Sequence, residues 1–130
     1  MAKEQINQLI QEDYVSFETA KLLKEKGFKG EGRKFYEKGK IVDFIDYWHR
    51  ITPEERYESI EAPTLQMAMK WLRKEKHIFI ELLVDTMIKG AFTWRLFEYP
   101  SMEIMPYDGW EHTYENACEA AIKYCLENLI

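Results

Sequence analysis

The sequence predicts an α+β protein, a two-layer sandwich in which an antiparallel sheet of two hairpins carries helices packed on one face. Three observations predict this fold. Apolar residues recur with a helical period in three segments, they alternate with a period of two in others, and glycine-containing turns separate the alternating segments. The length of 130 residues suits a single domain over 1–130, in which 1–13 are expected to be a loosely ordered N-terminal segment.

The N-terminal half begins with a helix and continues into a hairpin. Ser16 can cap this helix, and Gly27 suits the left-handed position that follows a helix end. Lys38-Gly39 predicts the turn between two short strands. Residues 42–50 fit either a continued strand or a helix. Thr52 then begins a capping box followed by proline, which predicts a short helix.

The C-terminal half predicts a helix, a longer hairpin and a final helix. Thr64 is the expected cap of the first of these helices. Residues 78–84 and 91–99 alternate in polarity and are expected to pair, and 102–105 form a short edge strand before a proline. Thr113 caps the final helix, which has a continuous apolar stripe.

The segment predicted as the final helix contains both cysteines of the chain. Cys118 and Cys125 lie on the apolar stripe, where a buried thiol has a raised pKa and is inert. We therefore expect two reduced core cysteines and no cysteine nucleophile. Glu119 and Lys123 are spaced as an exposed ion pair on the same helix.

Composition excludes several partners. The net charge of −5 argues against binding to nucleic acid or to an anionic membrane, since both need a positive surface. No apolar stretch approaches the ~20 residues that span a bilayer, and the N-terminus lacks a signal-peptide core. A cytoplasmic location without membrane association is the expectation.

No motif in the chain identifies an enzyme. The glycines around residues 27–39 fit neither a phosphate-binding loop nor a dinucleotide fingerprint. Asp43, Asp46 and His49 would offer metal ligands if their segment is helical, but no second cluster with metal-ligand spacing accompanies them. We accordingly assign no catalytic residue, no metal and no cofactor, and expect a binding protein instead of an enzyme.

Residues 24–40, the basic hairpin, form one candidate binding surface. Seven basic residues and three glutamates give this segment a local charge of +4. Its aromatics would either stack on nucleic-acid bases or point into the core. The alternative function is therefore a small-molecule or nucleic-acid binding module, with nucleic acid disfavoured by the acidic chain. The candidate anion-binding residues are Lys29, Arg33, Lys34, Lys38 and Lys40.

The second hairpin is the stronger candidate, because both of its faces carry large apolar groups. A strand that is apolar on both sides is usually covered on both sides, which predicts a dimer of this chain or a complex with another protein. The expected interface residues lie on the face away from Ile80 and Trp94. They are Phe79, Leu83, Phe97 and Tyr99. Which face meets the helices stays open, since a one-residue shift in register exchanges the two sets.

Several segments resemble a group of small uncharacterised proteins of Bacteroides-type gut bacteria and of their phages and prophages. The similar segments are 14–28, 62–66 with 71–73, and 120–122, and the middle stretch 29–61 lies outside the resemblance. The resemblance implies an accessory protein of bacterial or phage origin. It implies no activity, cofactor or catalytic residue.

Overall fold

The structure is a computed structural model, and it describes residues 9–130. Most of the predicted N-terminal segment, 1–13, lies outside these residues. The described chain contains five helices and six strands. In chain order they are α1 (Phe17–Glu25), β1 (Lys34–Glu37), β2 (Lys40–Asp43), α2 (Phe44–Trp48), α3 (Pro53–Tyr57), β3 (Ile60–Glu61), α4 (Leu65–Glu75), β4 (Ile78–Val84), β5 (Phe92–Glu98), β6 (Glu103–Glu111) and α5 (Tyr114–Asn128).

The predicted α+β class is confirmed, and the strands form two antiparallel sheets. The N-terminal sheet has the order β2-β1-β3, and the C-terminal sheet has the order β4-β5-β6. The prediction placed both hairpins in one sheet. Instead, β3 pairs with the free edge of β1 and β6 pairs with the free edge of β5, so each hairpin gains its own third strand.

One core joins the helices to the C-terminal sheet. The helices α1 and α4 each pack against α5, and α4 and α5 cover one face of that sheet. The apolar stripe predicted for α5 supplies much of this core. Its buried residues are Ala117, Cys118, Ala121, Ile122, Cys125 and Leu126.

The ends of α1 follow the predicted local chemistry. The Ser16 hydroxyl accepts a hydrogen bond from the Thr19 amide at 3.2 Å. Gly27 has φ +93°, and the Phe28 amide donates to the Leu23 carbonyl at 2.9 Å. This is a Schellman ending, in which glycine takes the left-handed position and the next residue packs back onto the helix.

The segment that fitted either strand or helix contains both. Strand β2 ends at Asp43, and α2 follows at once. Phe44, Tyr47 and Trp48 recur at the i, i+3, i+4 spacing of one helix face, and their rings lie 5.5–6.2 Å from the Phe35 ring. The helix forms because it packs three aromatic rings against the buried side of β1.

Strand β6 differs from the short edge strand predicted over 102–105. It continues to Glu111, because extra residues around Pro106 bulge out opposite the segment between Arg95 and Phe97. A proline has no amide hydrogen for a ladder and is tolerated at a bulge of an edge strand. Gly109 then allows the Trp94 ring to approach, since a Cβ at Gly109 would lie 2.6 Å from the indole nitrogen.

A carboxylate from α5 binds the N-terminus of α1. The Glu119 side chain accepts hydrogen bonds from the Ser16 amide at 2.8 Å, from the Ser16 hydroxyl and from the buried Thr19 hydroxyl. The predicted Glu119–Lys123 pair is wrong, since Lys123 pairs with Glu18 at 3.1 Å. The helix N-terminus attracts the carboxylate because its amides are unpaired and its dipole is positive there.

Candidate functional site

The two faces of the C-terminal sheet differ in what covers them. Ile80, Trp94 and Leu96 on the inner face are 6%, 5% and 0% exposed beneath the helices. The sequence left open which face of this sheet meets the helices. In the structure the helices lie on the side of Ile80 and Trp94. The opposite side, which we call the outer face, carries the four predicted interface residues. They are Phe79, Leu83, Phe97 and Tyr99.

Three rows of side chains cross the outer face from β4 through β5 to β6. An apolar row, a charged row and a mixed row follow one another along the strands. In that order the rows are Phe79, Phe97 and Ile104; Glu81, Arg95 and Asp108; and Leu83, Thr93 and Trp110. Directly opposed residues on neighbouring strands are in side-chain contact range, so each row is one continuous strip.

The apolar part of the outer face is open to solvent. Leu83 and Tyr99 are each 37% exposed, Trp110 is 46% exposed and Ile104 is 65% exposed. The rings of Phe79 and Tyr99 stack with centroids 6.5 Å apart. Sequence reasoning missed Trp110 because it ended β6 before the proline, and it did not assign Ile104 to this face although Ile104 lies in the predicted edge strand.

The charged row has one ion pair at its centre. The Arg95 Nε donates to Glu81 Oε1 at 3.0 Å, and the guanidinium lies 5.8 Å from the Phe97 ring centroid. Asp108 is opposite Arg95 on β6 and exposed, and it has no ion pair within residues 9–130. The outer face therefore contains a paired cation flanked by two carboxylates.

The predicted anion-binding residues of the basic hairpin are partly neutralised. Arg33 pairs with Glu31 at 3.0 Å. Lys34 pairs with Asp43, and this hydrogen bond raises the lysine pKa above its ordinary value. The other three, at 29, 38 and 40, are exposed. Two of the five candidate charges are thus balanced within the hairpin itself.

The backbone and aromatic groups of the basic hairpin are also occupied. Phe28 and Phe35 are 8% and 7% exposed, so they face the core and do not offer stacking surfaces. The amides of Gly30 and Gly32 donate to the Glu61 carboxylate at 2.9 and 2.8 Å. An external anion would have to displace this internal carboxylate to use those donors.

A groove of about 640 Å³ lies between α1 and β3. Its apolar lining includes Phe28, Phe35 and Ile60. Two polar groups at its rim are already bonded, since the Lys24 ammonium donates to the Tyr57 and Ser59 carbonyls and Glu61 accepts from the glycine amides. These two groups are therefore not free to orient a small molecule in the groove.

The two cysteines and the candidate metal ligands are the residues for which the sequence suggested chemistry, and the thiols are buried. Burial raises the pKa of the Cys118 thiol to about 11 and that of the Cys125 thiol to about 12. Within residues 9–130 no three His, Cys, Asp or Glu side chains are grouped to hold a metal ion. Of the hypothetical ligands near α2, Asp43 is bonded to Lys34.

Both thiols are expected to react slowly with a bulky aromatic disulfide reagent in the native protein at pH 8. They are buried, and their raised pKa leaves little thiolate, the reactive species, at that pH. The measurement is the absorbance of the released thiolate against time, with urea-unfolded protein as the fast-reacting control. Rapid native labelling of either cysteine would contradict this burial.

No protein-family model, no curated protein and no solved structure matches the chain. No helix within the described residues is both long enough and apolar enough to cross a membrane.

Proposed function

We propose that the chain is a cytoplasmic, non-enzymatic accessory protein of bacterial or phage origin that functions by binding protein, and that its partner is a second copy of itself. One observation carries the proposal. The outer face combines exposed apolar and aromatic residues with a central arginine on a rigid sheet.

A solvated sheet face is ordinarily polar, since alternate residues of an antiparallel strand face water. Here the outer face has Phe79, Leu83 and Phe97 at such positions, with Ile104 and Trp110 on the neighbouring strand. Contiguous apolar surface of this kind marks interaction sites in folded proteins. Aromatic residues and arginine are also the types enriched among the residues that dominate binding energy.

The size of the outer face indicates which class of interface it could form. Three strands about 4.8 Å apart, with seven residues at about 3.4 Å each, give a projected patch of about 340 Å². Side-chain relief makes the accessible area larger, and standard interfaces bury about 800 Å² per partner. The outer face is therefore at the small end of the size range, where weak and transient complexes are found.

A second copy fits this surface because the surface is self-complementary. It has an apolar row and a mixed row on either side of a row with charges of both signs. The alternative function, a small-molecule or nucleic-acid binding module, has less support. The hairpin aromatics Phe28 and Phe35 are buried, and its glycine amides are bonded to Glu61.

Replacing Leu83 and Phe97 together with lysine is expected to weaken self-association at least about 100-fold, because the pair of substitutions removes apolar surface from the outer face and adds four positive charges to the two opposed copies. Both side chains are partly solvent-exposed on the outer face, so the monomer should keep its fold. The measurement is sedimentation velocity across the micromolar range, with circular dichroism to follow the fold.

The matched control replaces Ile45 and Tyr57 with lysine. These side chains are 71% and 86% exposed on α2 and α3, away from the outer face, and their replacement should leave association unchanged. A wild-type protein that stays monomeric throughout the concentration range would refute the proposal. Unfolding of the Leu83/Phe97 variant would mean that these residues belong to the core.

A further inference from the structure

We infer that two copies pack outer face against outer face in an offset register, with the two-fold axis parallel to the strands and between β5 and β6. Arg95 of each copy then meets Asp108 of the other. This inference rests on the proposed self-association and adds its register.

Symmetry restricts the possible registers. In a two-fold dimer the same patch meets itself, so a residue on the axis faces its own copy. Arg95 is at the centre of the outer face, on the middle strand and in the middle row. A centred dimer therefore places guanidinium against guanidinium. Like charges brought together at an interface cost several kcal/mol, which disfavours every centred arrangement.

The two carboxylates that flank Arg95 in the charged row also disfavour the centred arrangements. An axis along β5 sets Glu81 of one copy over Asp108 of the other, and an axis along the charged row sets each carboxylate over its own copy. Both arrangements oppose carboxylates as well as guanidinium groups. A shift by half a strand spacing, about 2.4 Å, removes both conflicts.

Two offset registers bring unlike charges together. The existing partners of the two carboxylates show which register is favoured. An axis between β4 and β5 pairs Arg95 with the second copy's Glu81, which already accepts a hydrogen bond from its own Arg95. An axis between β5 and β6 pairs Arg95 with Asp108, which has no ion pair in the part of the chain described. The second register therefore adds a partner to a carboxylate that lacks one.

Apolar burial favours the same choice. The axis between β5 and β6 covers Ile104 and Trp110, which are 65% and 46% exposed. The axis between β4 and β5 covers Leu83, which is 37% exposed, and Phe79, which is partly buried already. Apolar surface removed from water contributes in proportion to its area, so the more exposed pair gives the larger gain. Phe97 is on the shared strand and is covered in either register.

Crosslinking between cysteine variants tests the register. Arg95→Cys protein is mixed with ¹⁵N-labelled Asp108→Cys protein, treated briefly with a short bismaleimide, and analysed by mass spectrometry. The mixed dimer keeps one intact Arg95–Asp108 contact. Its crosslink should form about 100-fold faster than a crosslink between thiols that meet only by diffusion in dilute solution. The reason is that thiols held at an interface reach millimolar effective concentration.

The comparison samples identify the other possible arrangements. A crosslink in Arg95→Cys protein alone that forms faster than the mixed crosslink indicates a centred dimer, and one in a mixture with Glu81→Cys protein that forms faster indicates the axis between β4 and β5. Either result overturns the inference, as does the absence of all three crosslinks in protein that dimerises. Wild-type protein, whose Cys118 and Cys125 are buried, is the blank. A monomeric wild type would instead refute the proposed function itself.

Two conservative variants provide a second measurement that does not depend on added thiols. Asp108→Asn should weaken association about tenfold and change monomer stability by less than about 1 kcal/mol, because Asp108 makes no ion pair within the described residues of its own chain. Glu81→Gln should lower monomer stability and affect association less, since its partner is in the same chain. The reverse pattern would overturn the inferred register.

Discussion

Replacing Leu96 with alanine is expected to lower the free energy of unfolding by about 2–5 kcal/mol. Leu96 is fully buried on the inner face of β5, within the core that joins the helices to the sheet. The loss combines the transfer of the removed methyl and methylene groups with the cavity that they leave. Urea denaturation monitored by tryptophan fluorescence measures the change.

The matched control is Leu83→Ala on the outer face, where the side chain is 37% exposed. Its expected loss is about 1 kcal/mol, since less apolar surface leaves water when it folds. The two proteins should be compared at submicromolar concentration, because self-association adds to apparent stability by mass action. Equal losses at the two positions would contradict the assignment of inner and outer faces.

Replacing Glu119 with alanine is expected to lower the free energy of unfolding by about 2–3 kcal/mol. The change removes the acceptor for the Ser16 amide, the Ser16 hydroxyl and the Thr19 hydroxyl. Thr19 is fully buried, so its hydroxyl loses a partner without gaining water. The α1 N-terminus also loses the favourable charge at its dipole. Thermal and urea unfolding measure the effect.

Two variants separate this cluster from a general effect of charge. Glu127→Ala removes an exposed carboxylate from the same helix and should change stability by less than about 0.5 kcal/mol. Glu119→Gln keeps one acceptor oxygen, so its free energy of unfolding should lie between those of the wild type and Glu119→Ala. If Glu119→Ala behaves like the Glu127 control, the carboxylate does not support α1.

The orientation of Glu119 illustrates where sequence reasoning stops. Its neighbours on the helix surface suggested a pair with Lys123, four residues away. Its actual partner hydroxyl on Thr19 is 100 positions distant. Only the packing of α5 beside α1 brings these groups together, and no local pattern records that packing. The Glu61 carboxylate is similar, since it binds the Gly32 amide 29 positions away.

Elements whose signals are local could be predicted from the sequence. The caps Ser16, Thr52, Thr64 and Thr113 all begin helices, because each hydroxyl bonds an amide three residues further on. The turn at Lys38-Gly39 joins two strands, since both residues have the positive φ that a tight hairpin requires. These interactions lie within a few residues and are readable before the chain folds.

Only the tertiary structure decided how these elements combine. It placed Phe79, Leu83, Phe97 and Tyr99 on the uncovered face beside Ile104, and it carried β6 past Pro106 so that Trp110 joined them. Alternation predicts that a strand has two faces, but both faces of this hairpin are apolar. The choice of the covered face depends on the helices α4 and α5, whose contacts with the strands are made across the fold.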